Sequence, residues 1–267
     1  MTTKQSSPAS AAPDNIYATP ALEKGLDVLE LLARQLVGLT KSQIARELDR
    51  SVSEIFRTLV TLERRGYISQ TEGDRYALTL KLFKLVQEHP PIERMVAVAN
   101  SIMQRVAHES RQSCHLGVIE RSRVIFLAQV NAPTSAGYFV KLGSTADLME
   151  TSTGHVILAY LDEARREQIL ADWCEENGKK LPDGLEEHLA AIRKVGFERR
   201  ESYAINGIVN ISFPIFDDQG FAAAAVTIPY VDHNNSRLTA EDVTAILAKG
   251  AADVTAAIGG IRLARSA

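Results

Sequence analysis

The sequence predicts an α+β protein with two domains. Its 267 residues exceed the roughly 100–200 residues of one ordinary domain, and 45% hydrophobic with 24% charged residues is the composition of a globular protein. Helical periodicity dominates the first part of the chain, whereas the second part groups its strands into hairpins with helices between them. The run His89-Pro90-Pro91 separates the two parts, because proline does not continue a helix.

Three helices are predicted at the beginning of the first domain. The first begins at Pro20, a residue favoured in the first turn of a helix. The second follows Thr40, which has Gln43 three residues later, the spacing of a capping box. The third runs from about 51 to 65 and ends at Gly66, where a left-handed residue is expected.

A short β-hairpin is predicted after the third helix, with strands at 67–70 and 75–78. Three helices with a tight turn, followed by a hairpin, indicate a winged helix-turn-helix, which we assign to residues 19–79. A linking helix is predicted over 79–88, and we assign residues 80–91 to the linker.

The N-terminal segment 1–18 is rich in Ser, Ala, Thr and Pro and is predicted to be a disordered tail. It lacks the apolar segment of a signal peptide, and the apolar runs of the chain are far shorter than the roughly 18 residues of a membrane helix. The sequence therefore predicts a cytoplasmic protein, in which Cys114 and Cys174 are expected to be reduced.

The second domain, assigned to residues 92–267, is predicted to contain a sheet covered by helices. The positions of charged segments, turn residues and apolar runs predict ten helices and strands in this domain. The predicted helices cover 92–111, 153–161, 163–176, 184–195 and 239 to about 263, and the predicted strands cover 114–119, 124–130, 138–142, 207–216 and 222–230.

The net charge of −3 alone gives no sign of a nucleic acid partner. The charge is divided unevenly, however. Residues 19–88 carry one more basic than acidic side chain, and the acidity lies in residues 89–267. The overall charge therefore does not argue against DNA binding by the first domain.

A DNA-contacting surface is predicted on the third helix. A helix that enters the major groove needs short polar side chains and a long basic one near its start. Helical spacing places four such residues opposite the apolar stripe, the start of the same helix adds Ser51, and neighbouring elements add three more. The predicted DNA contacts are Lys41, Ser42, Ser51, Ser53, Glu54, Arg57, Thr58 and Arg75. The alternative is a solvated helix face used for protein contacts.

Glu54 has two interpretations. Its carboxylate can accept a hydrogen bond from cytosine, although it repels phosphates. It can equally stabilise the start of the helix through the helix dipole. The residues alone leave both open.

The sequence contains none of the common catalytic or metal-binding motifs. HExxH, GxSxG, GxGxxG and Walker A motifs are absent, and the six histidines lack metal-ligand spacing. Cys114 and His115 are neighbours on a predicted strand, so they point to opposite faces and cannot form a simple nucleophile–base pair. We predict no enzymatic activity, no cofactor and no bound metal.

An anion-binding pocket is predicted where the helix 153–161 begins. The residues 151–155 read Thr-Ser-Thr-Gly-His, and hydroxyl groups at a helix N-terminus favour a negatively charged ligand. An ordinary Ser/Thr helix cap explains the same residues. Asn210 and Thr227 are polar positions in apolar strands, which are either satisfied by the backbone or face a ligand.

The sequence resembles the IclR-type transcriptional regulators over about residues 20–262. In the first domain the similarity is carried by the run ALEKGLDVLELL and by several shorter motifs, and in the second domain by five further segments. These segments are 21–32, 38–40, 44–45, 57–59, 62, 66–67 and 76–78, and then 143–145, 151–154, 158–159, 195–197 and 207–217.

This resemblance implies a repressor or activator whose winged helix binds a palindromic operator as a dimer or a dimer of dimers. It also implies a GAF-like C-terminal domain with an antiparallel sheet, which binds a small organic acid, often an aromatic or keto acid from a catabolic pathway. The pocket would lie between the sheet and the helix start. The predicted effector-binding residues are Tyr138, Met149, Ser152, Thr153, Gly154, His155, Tyr203, Asn210 and Thr227.

The sequence departs from the family pattern at positions close to the predicted pocket. The family usually has a basic residue where this chain has His155, a proline where it has Asp147, and commonly a glutamate where it has Tyr203. The effector therefore cannot be transferred from a relative. The alternative function is a GAF-like small-molecule-binding or catalytic domain whose winged helix serves dimerisation.

Overall fold

The computed structural model describes residues 19–87, 90–134, 137–232 and 238–262. The chain divides into two compact units, one up to His89 and one from Pro90 onward. The tail predicted at residues 1–18 lies outside the described residues. Within the described ranges, no helix has both the length and the hydrophobicity that crossing a membrane requires.

The N-terminal unit, where described, consists of helices around a small antiparallel sheet. The central strand pairs with both of the others, in the order β1-β3-β2. The first strand was not predicted, because two residues are too short to show an alternating pattern. The elements are α1 Pro20–Ala33, β1 Leu39–Thr40, α2 Lys41–Glu47, α3 Val52–Arg64, β2 Ile68–Thr71, β3 Arg75–Leu78 and α4 Lys81–Gln87.

Local hydrogen bonds set the limits of α2. The Thr40 hydroxyl accepts from the Gln43 backbone N–H, and the Gln43 side chain accepts from the Thr40 N–H, which confirms the predicted capping box. After α3, Gly66 has a φ of 74°, which confirms the predicted left-handed residue. The apolar sides of the helices pack on the sheet around a buried core of Val28, Leu32, Ile44, Ala45, Ile55, Leu59, Ile68 and Tyr76.

The C-terminal unit is built on a six-stranded antiparallel sheet, in the order β6-β5-β4-β9-β8-β7. This topology, with the N-terminal unit, confirms the predicted α+β class. The elements are α5 Pro90–Ser110, β4 Cys114–Glu120, β5 Arg123–Val130, β6 Thr145–Asp147, α6 Ser152–Tyr160, α7 Glu163–Asn177, α8 Leu185–Val195, β7 Glu198–Glu201, β8 Ile208–Phe216, β9 Ala222–Val231 and α9 Ala240–Ala257.

Helices cover both faces of this sheet. On one face, α5 and α9 pack together over a core that includes Leu116, Ile211 and Leu247. On the other face, α6 contacts the central strands and α8. Because side chains alternate along a strand, His115 and Thr227, which face each other across β4 and β9, lie on the α6 side. The candidate site lies on this side of the sheet.

The structure corrects several predicted elements of the second unit. The strand predicted at 138–142 is wrong: these residues have no regular structure, and Phe139 and Leu142 are exposed. The strand beside β5 is β6 instead. Pro90 and Pro91 do not precede α5 but form its first turn, where a missing N–H is tolerated. The strand β7 was not predicted, because its charged residues resemble a solvated loop.

The last helix is shorter than the sequence suggested. It was predicted to reach about residue 263 but ends at Ala257. Gly259 then takes a φ of 85°, and a side chain at Gly260 would overlap the carbonyl group of Phe216. The close approach of the chain to β8 therefore ends the helix.

Candidate functional site

The exposed side of α3 carries part of the predicted DNA-contacting surface. Ile55 and Leu59 are fully buried on the inner side of the helix, whereas Ser53 and Arg57 are exposed and Thr58 is half-buried. This arrangement leaves the Arg57 guanidinium at the surface in the second turn of α3, where a recognition helix contacts DNA.

The start of α2 lies beside this surface. Lys41 and Ser42 are both exposed in its first turn. The Lys41 ammonium lies 5.5 Å from the centre of the Phe56 ring on α3, a cation–π contact that joins the two helices. Sequence reasoning missed Phe56, which is half-exposed on α3 although it is aromatic.

Glu54 and Ser51 together cap the start of α3. The Glu54 carboxylate accepts from the Ser51 N–H at 3.0 Å and from its hydroxyl at 2.9 Å, and it lies 3.3 Å from the Lys24 ammonium. The hydrogen bonds from Ser51, and then the nearby Lys24 charge, lower the pKa of Glu54 from 4.5 to about 2. This geometry favours the helix-start interpretation of Glu54 over a base contact.

This cap has a testable pH dependence. Because the folded pKa of Glu54 is depressed, its ionised form adds stability above about pH 4.5, and this contribution is lost as the pH falls toward 2. In Glu54→Gln the amide keeps the capping geometry without the charge. We expect the melting temperature of the wild type to exceed that of the variant near pH 7, and the difference to shrink below pH 4.5.

Thermal unfolding of the full chain, followed by circular dichroism between pH 7 and pH 3, measures this difference. Glu72→Gln, in the turn between β2 and β3, removes a carboxylate of the same type and serves as the control. A difference for Glu54→Gln that stays constant over this pH range would contradict the proposed role of the charge.

Arg75 has a structural role within the N-terminal unit. Its guanidinium donates to the Gly38 carbonyl at 2.9 Å and to the Gln43 side chain at 3.4 Å. These bonds tie β3 to the segments around α2. Both bonds use Nη1 of the guanidinium, and the contact of Arg75 with DNA stays a prediction.

A small cavity lies in the C-terminal unit between the sheet and the beginning of α6. Its volume is about 50 Å³. Hydroxyl groups at the start of α6 form one wall, strands β4, β8 and β9 form another, and two tyrosines complete it. The lining residues are His115, Phe126, Tyr138, Val140, Thr151, Ser152, Thr153, Ser202, Tyr203, Asn210 and Thr227.

A chain of hydroxyl groups connects α6 to the sheet. Thr153 and Thr227 place their oxygens 2.9 Å apart, and the Thr227 oxygen lies 2.7 Å from that of Ser212 on β8. All three side chains are buried. Since a hydroxyl both donates and accepts, this chain can reorient its protons to meet either a donor or an acceptor in the cavity.

Two buried polar atoms at the cavity have no hydrogen-bond partner among the described residues. They are Nδ1 of His115 and the hydroxyl oxygen of Ser152. Burial lowers the pKa of His115 to about 3, so its ring is neutral at physiological pH. Buried polar groups are normally satisfied, and unpaired ones facing a cavity are therefore suited to a ligand.

Two glycines allow α6 to approach the sheet this closely. A Cβ atom on Gly117 would lie 2.7 Å from the Thr153 methyl group, and one on Gly154 would lie 2.4 Å from the Leu148 carbonyl oxygen. The hydroxyl groups of α6 reach the cavity because neither glycine has a side chain.

The structure brings together six of the nine predicted effector residues at the cavity: Tyr138, Ser152, Thr153, Tyr203, Asn210 and Thr227. Gly154, Met149 and His155 are buried but do not line the cavity. Of the lining residues that were not predicted, His115 carries a signal in the sequence, a histidine in an apolar strand. Phe126, Val140 and Ser202 do not differ from ordinary strand or loop residues.

His155 lies in a different cluster, which could hold a metal ion. Its ring and the side chains of His188 and Glu198 place three ligand atoms within 4.8 Å of one another. The spacing of residues along the chain could not reveal this group, because its members come from α6, α8 and β7.

Two family profiles match the chain. The IclR helix-turn-helix domain matches residues 21–72, and the C-terminal domain of bacterial IclR transcriptional regulators matches residues 93–256. The chain is 23% identical over 242 residues to the HTH-type transcriptional regulator KdgR of Escherichia coli, covering 88% of this chain and 91% of KdgR. It is 28% identical over 211 residues to the glycerol operon regulatory protein of Streptomyces coelicolor, covering 78% and 83% of the two chains.

Solved structures share this fold. The IclR protein of Thermotoga maritima superposes with a TM-score of 0.68 at 24% identity, over 89% of this chain and 98% of that chain. An IclR homologue from Microbacterium hydrocarbonoxydans, complexed with 4-hydroxybenzoate, gives a TM-score of 0.72 at 21% identity over the same shares. With both profiles matched in order along most of its length, the chain belongs to the IclR family of transcriptional regulators, which bind operator DNA and small-molecule effectors.

Proposed function

We propose that this regulator controls a catabolic operon and that a short organic acid, bound in the cavity at α6, changes its affinity for the operator. The main support for a bound ligand is a pair of buried polar atoms at the cavity that have no hydrogen-bond partner in the described residues. They are the Ser152 hydroxyl oxygen and Nδ1 of His115. Both can form hydrogen bonds only with something placed in the cavity or with rearranged neighbours.

The environment of the cavity favours a carboxylate. The first N–H groups of α6, those of Ser152 and Thr153, have no acceptor within the helix, and the helix dipole is positive at this end. The Ser152 and Thr153 hydroxyl groups can donate to the same anion. The neutral ring of His115 adds a hydrogen-bonding group without a competing charge.

The size of the cavity favours a short acid over an aromatic one. The cavity is small, about 50 Å³. A short 2-keto or 2-hydroxy acid suits that space. The homologue complexed with 4-hydroxybenzoate indicates that this fold can accommodate a ring. In this chain, Tyr138 and Tyr203 line the cavity, and we expect them to move if a ring is to enter.

On the DNA side, we propose a homodimer, alone or paired into a tetramer, that places two α3 helices about 34 Å apart on a palindromic operator. Arg57 contacts the operator from each helix. The effector acts only if it binds the DNA-competent and the incompetent arrangements with different affinity. The linker at residues 80–91 is where we expect this difference to be transmitted.

Fluorescence anisotropy tests this proposal with the full chain and a labelled DNA fragment from upstream of its own gene. We expect specific binding to this fragment, and a change in affinity of at least about fivefold on adding a short 2-keto or 2-hydroxy acid. Benzoates are the competing class. Failure to bind this fragment or other regulatory DNA would contradict the proposal that the protein regulates transcription. A response to benzoates but not to short acids would contradict the proposed effector class.

A further inference from the structure

Three side chains from separate elements meet on the α6 side of the C-terminal sheet. An oxygen of Glu198 lies 2.8 Å from Nε2 of His188 and 3.3 Å from Nδ1 of His155. Glu198 and His155 are buried, whereas the His188 side chain is 41% exposed. The cluster is therefore enclosed on the side of the sheet and open to solvent through His188.

His155 is oriented as a metal-binding histidine would be. Its Nε2 lies 2.9 Å from the Met149 carbonyl oxygen, which can only accept, so Nε2 carries the proton. Nδ1 lies 2.9 Å from the Arg200 guanidinium, which can only donate, so Nδ1 presents its lone pair on the side of the cluster. A ring nitrogen that donates to a backbone carbonyl, while the other presents its lone pair, is the usual arrangement of a histidine ligand.

Glu198 provides an independent observation. Its side chain is only 4% exposed, and its second carboxylate oxygen is buried without a hydrogen-bond partner in the described residues. A buried carboxylate with an unsatisfied oxygen is costly unless a positive charge compensates it. A cation bound by the carboxylate would compensate both oxygens.

Arg200 competes for the same lone pair. Its guanidinium lies 2.9 Å from Nδ1 of His155 and 3.8 Å from the nearer oxygen of Glu198. The Arg200 side chain is about one-third exposed, however, and a long arginine can turn its charged end into solvent. Moving the Arg200 guanidinium from the cluster into solvent therefore costs less free energy than moving a fully buried ion.

We propose that His155, His188 and Glu198 bind a divalent transition metal ion of the Zn²⁺ class. Two imidazoles and one carboxylate form a ligand set suited to Zn²⁺, whereas Ca²⁺ and Mg²⁺ prefer oxygen ligands alone. Ligand atoms of a tetrahedral zinc site are about 3.3 Å apart. The two distances to Glu198 are close to this value, and the three ligand atoms all lie within 4.8 Å of one another, so a small shift of the histidine rings would complete the site. Water completes the coordination on the exposed side of His188.

Bound metal would join α6, α8 and β7 at one point. His155 follows Thr153 of the cavity wall by two residues, and Glu198 precedes Ser202 of the same wall by four. The metal site stands independently of the proposed effector, because none of its three ligands lines the cavity.

Metal binding by the tag-free full chain tests this proposal. Zn²⁺ titration calorimetry gives the stoichiometry and affinity, and Co²⁺ gives the visible absorption bands that report tetrahedral nitrogen and oxygen ligands. We expect one site per chain. His188→Ala should weaken binding by about 100-fold or more, since even loss of an outer-shell partner costs 10–100-fold. Glu198→Gln should have the same effect.

Two further variants separate a metal site from an ion-pair cluster. Arg200→Met removes the competing guanidinium and should strengthen Zn²⁺ binding. His108→Ala removes an exposed histidine on α5 and should leave binding unchanged. His188 is partly exposed, so His188→Ala is expected to fold, which circular dichroism checks. Absence of a saturable site, or a site that binds Zn²⁺ as tightly in His188→Ala and Glu198→Gln as in the wild type, would overturn the proposal.

Discussion

An Arg57→Ala variant is expected to bind operator DNA about 30-fold to 10⁴-fold more weakly than the wild type, because a base contact is worth about 1–3 kcal/mol and a dimer loses two. The guanidinium is exposed on the second turn of α3, and no ion pair or hydrogen bond of its own is found for it within the described ranges. It is therefore available to DNA without breaking an internal contact.

Anisotropy titrations at several salt concentrations measure the effect and its origin. A base contact predicts a loss that is concentrated on the specific operator, whereas a phosphate contact weakens binding to all duplexes and reduces the salt slope by about one per contact. Arg199→Ala is the matched control, because it removes the same charge from β7, where Arg199 pairs with Glu241. Unchanged affinity and salt slope in Arg57→Ala would contradict the role of α3 in recognition.

A Ser152→Ala variant is expected to lose about 10- to 100-fold in effector affinity, the equivalent of about 1.5–3 kcal/mol for a hydrogen bond to a charged group. Its stability should stay the same or increase. The hydroxyl group of Ser152 is buried without a partner, so its removal takes away a desolvation penalty and breaks no internal hydrogen bond. Lost function with retained stability identifies a group reserved for a ligand.

Ser110→Ala provides the opposite case. Ser110 is also buried, but its hydroxyl oxygen accepts from the Gln112 backbone N–H. Its removal should lower the free energy of unfolding by about 1–3 kcal/mol, with little effect on the effector. Calorimetric titration and thermal unfolding of both variants check the pair. An effector affinity in Ser152→Ala equal to that of the wild type would contradict the anion site.

Features decided by neighbouring residues could be predicted from the sequence. The capping box at Thr40 and the left-handed residue at Gly66 depend on contacts within a few positions, and the structure contains both. The hairpin β2–β3 follows from alternation and a turn in the same way. Such local patterns, taken in order, were enough to predict the α+β class.

The direction of side chains on α6 could not be predicted. Every residue of this helix is buried, so it has no polar face to show which way each side chain points. Ser152 and Thr153 were predicted at the cavity and line it, whereas His155 turns toward Glu198, some 40 residues later in the chain. Its environment depends on how β7 and α8 pack, which local periodicity does not contain.

The internal contacts of two long side chains could not be predicted either. Arg75 was predicted to contact DNA, which stays a prediction, and the structure shows that it also donates to the carbonyl of Gly38, 37 residues away. The structure likewise places Glu198 in the interior, although a glutamate in a charged segment is ordinarily exposed. For both residues, the deciding contacts are distant in sequence.

The residues around the cavity differ in how freely they can be substituted. Gly117 and Gly154 lie where α6 is in close contact with its neighbours, whereas other positions at the cavity are less restricted. Any larger residue at Gly154 would push α6 away from a backbone carbonyl, so this position tolerates little change. Tyr203, in contrast, is exposed at the cavity and can be replaced with little effect on the core. Residues at the rim of the cavity can therefore change the preferred ligand while the backbone around Gly117 and Gly154 stays the same.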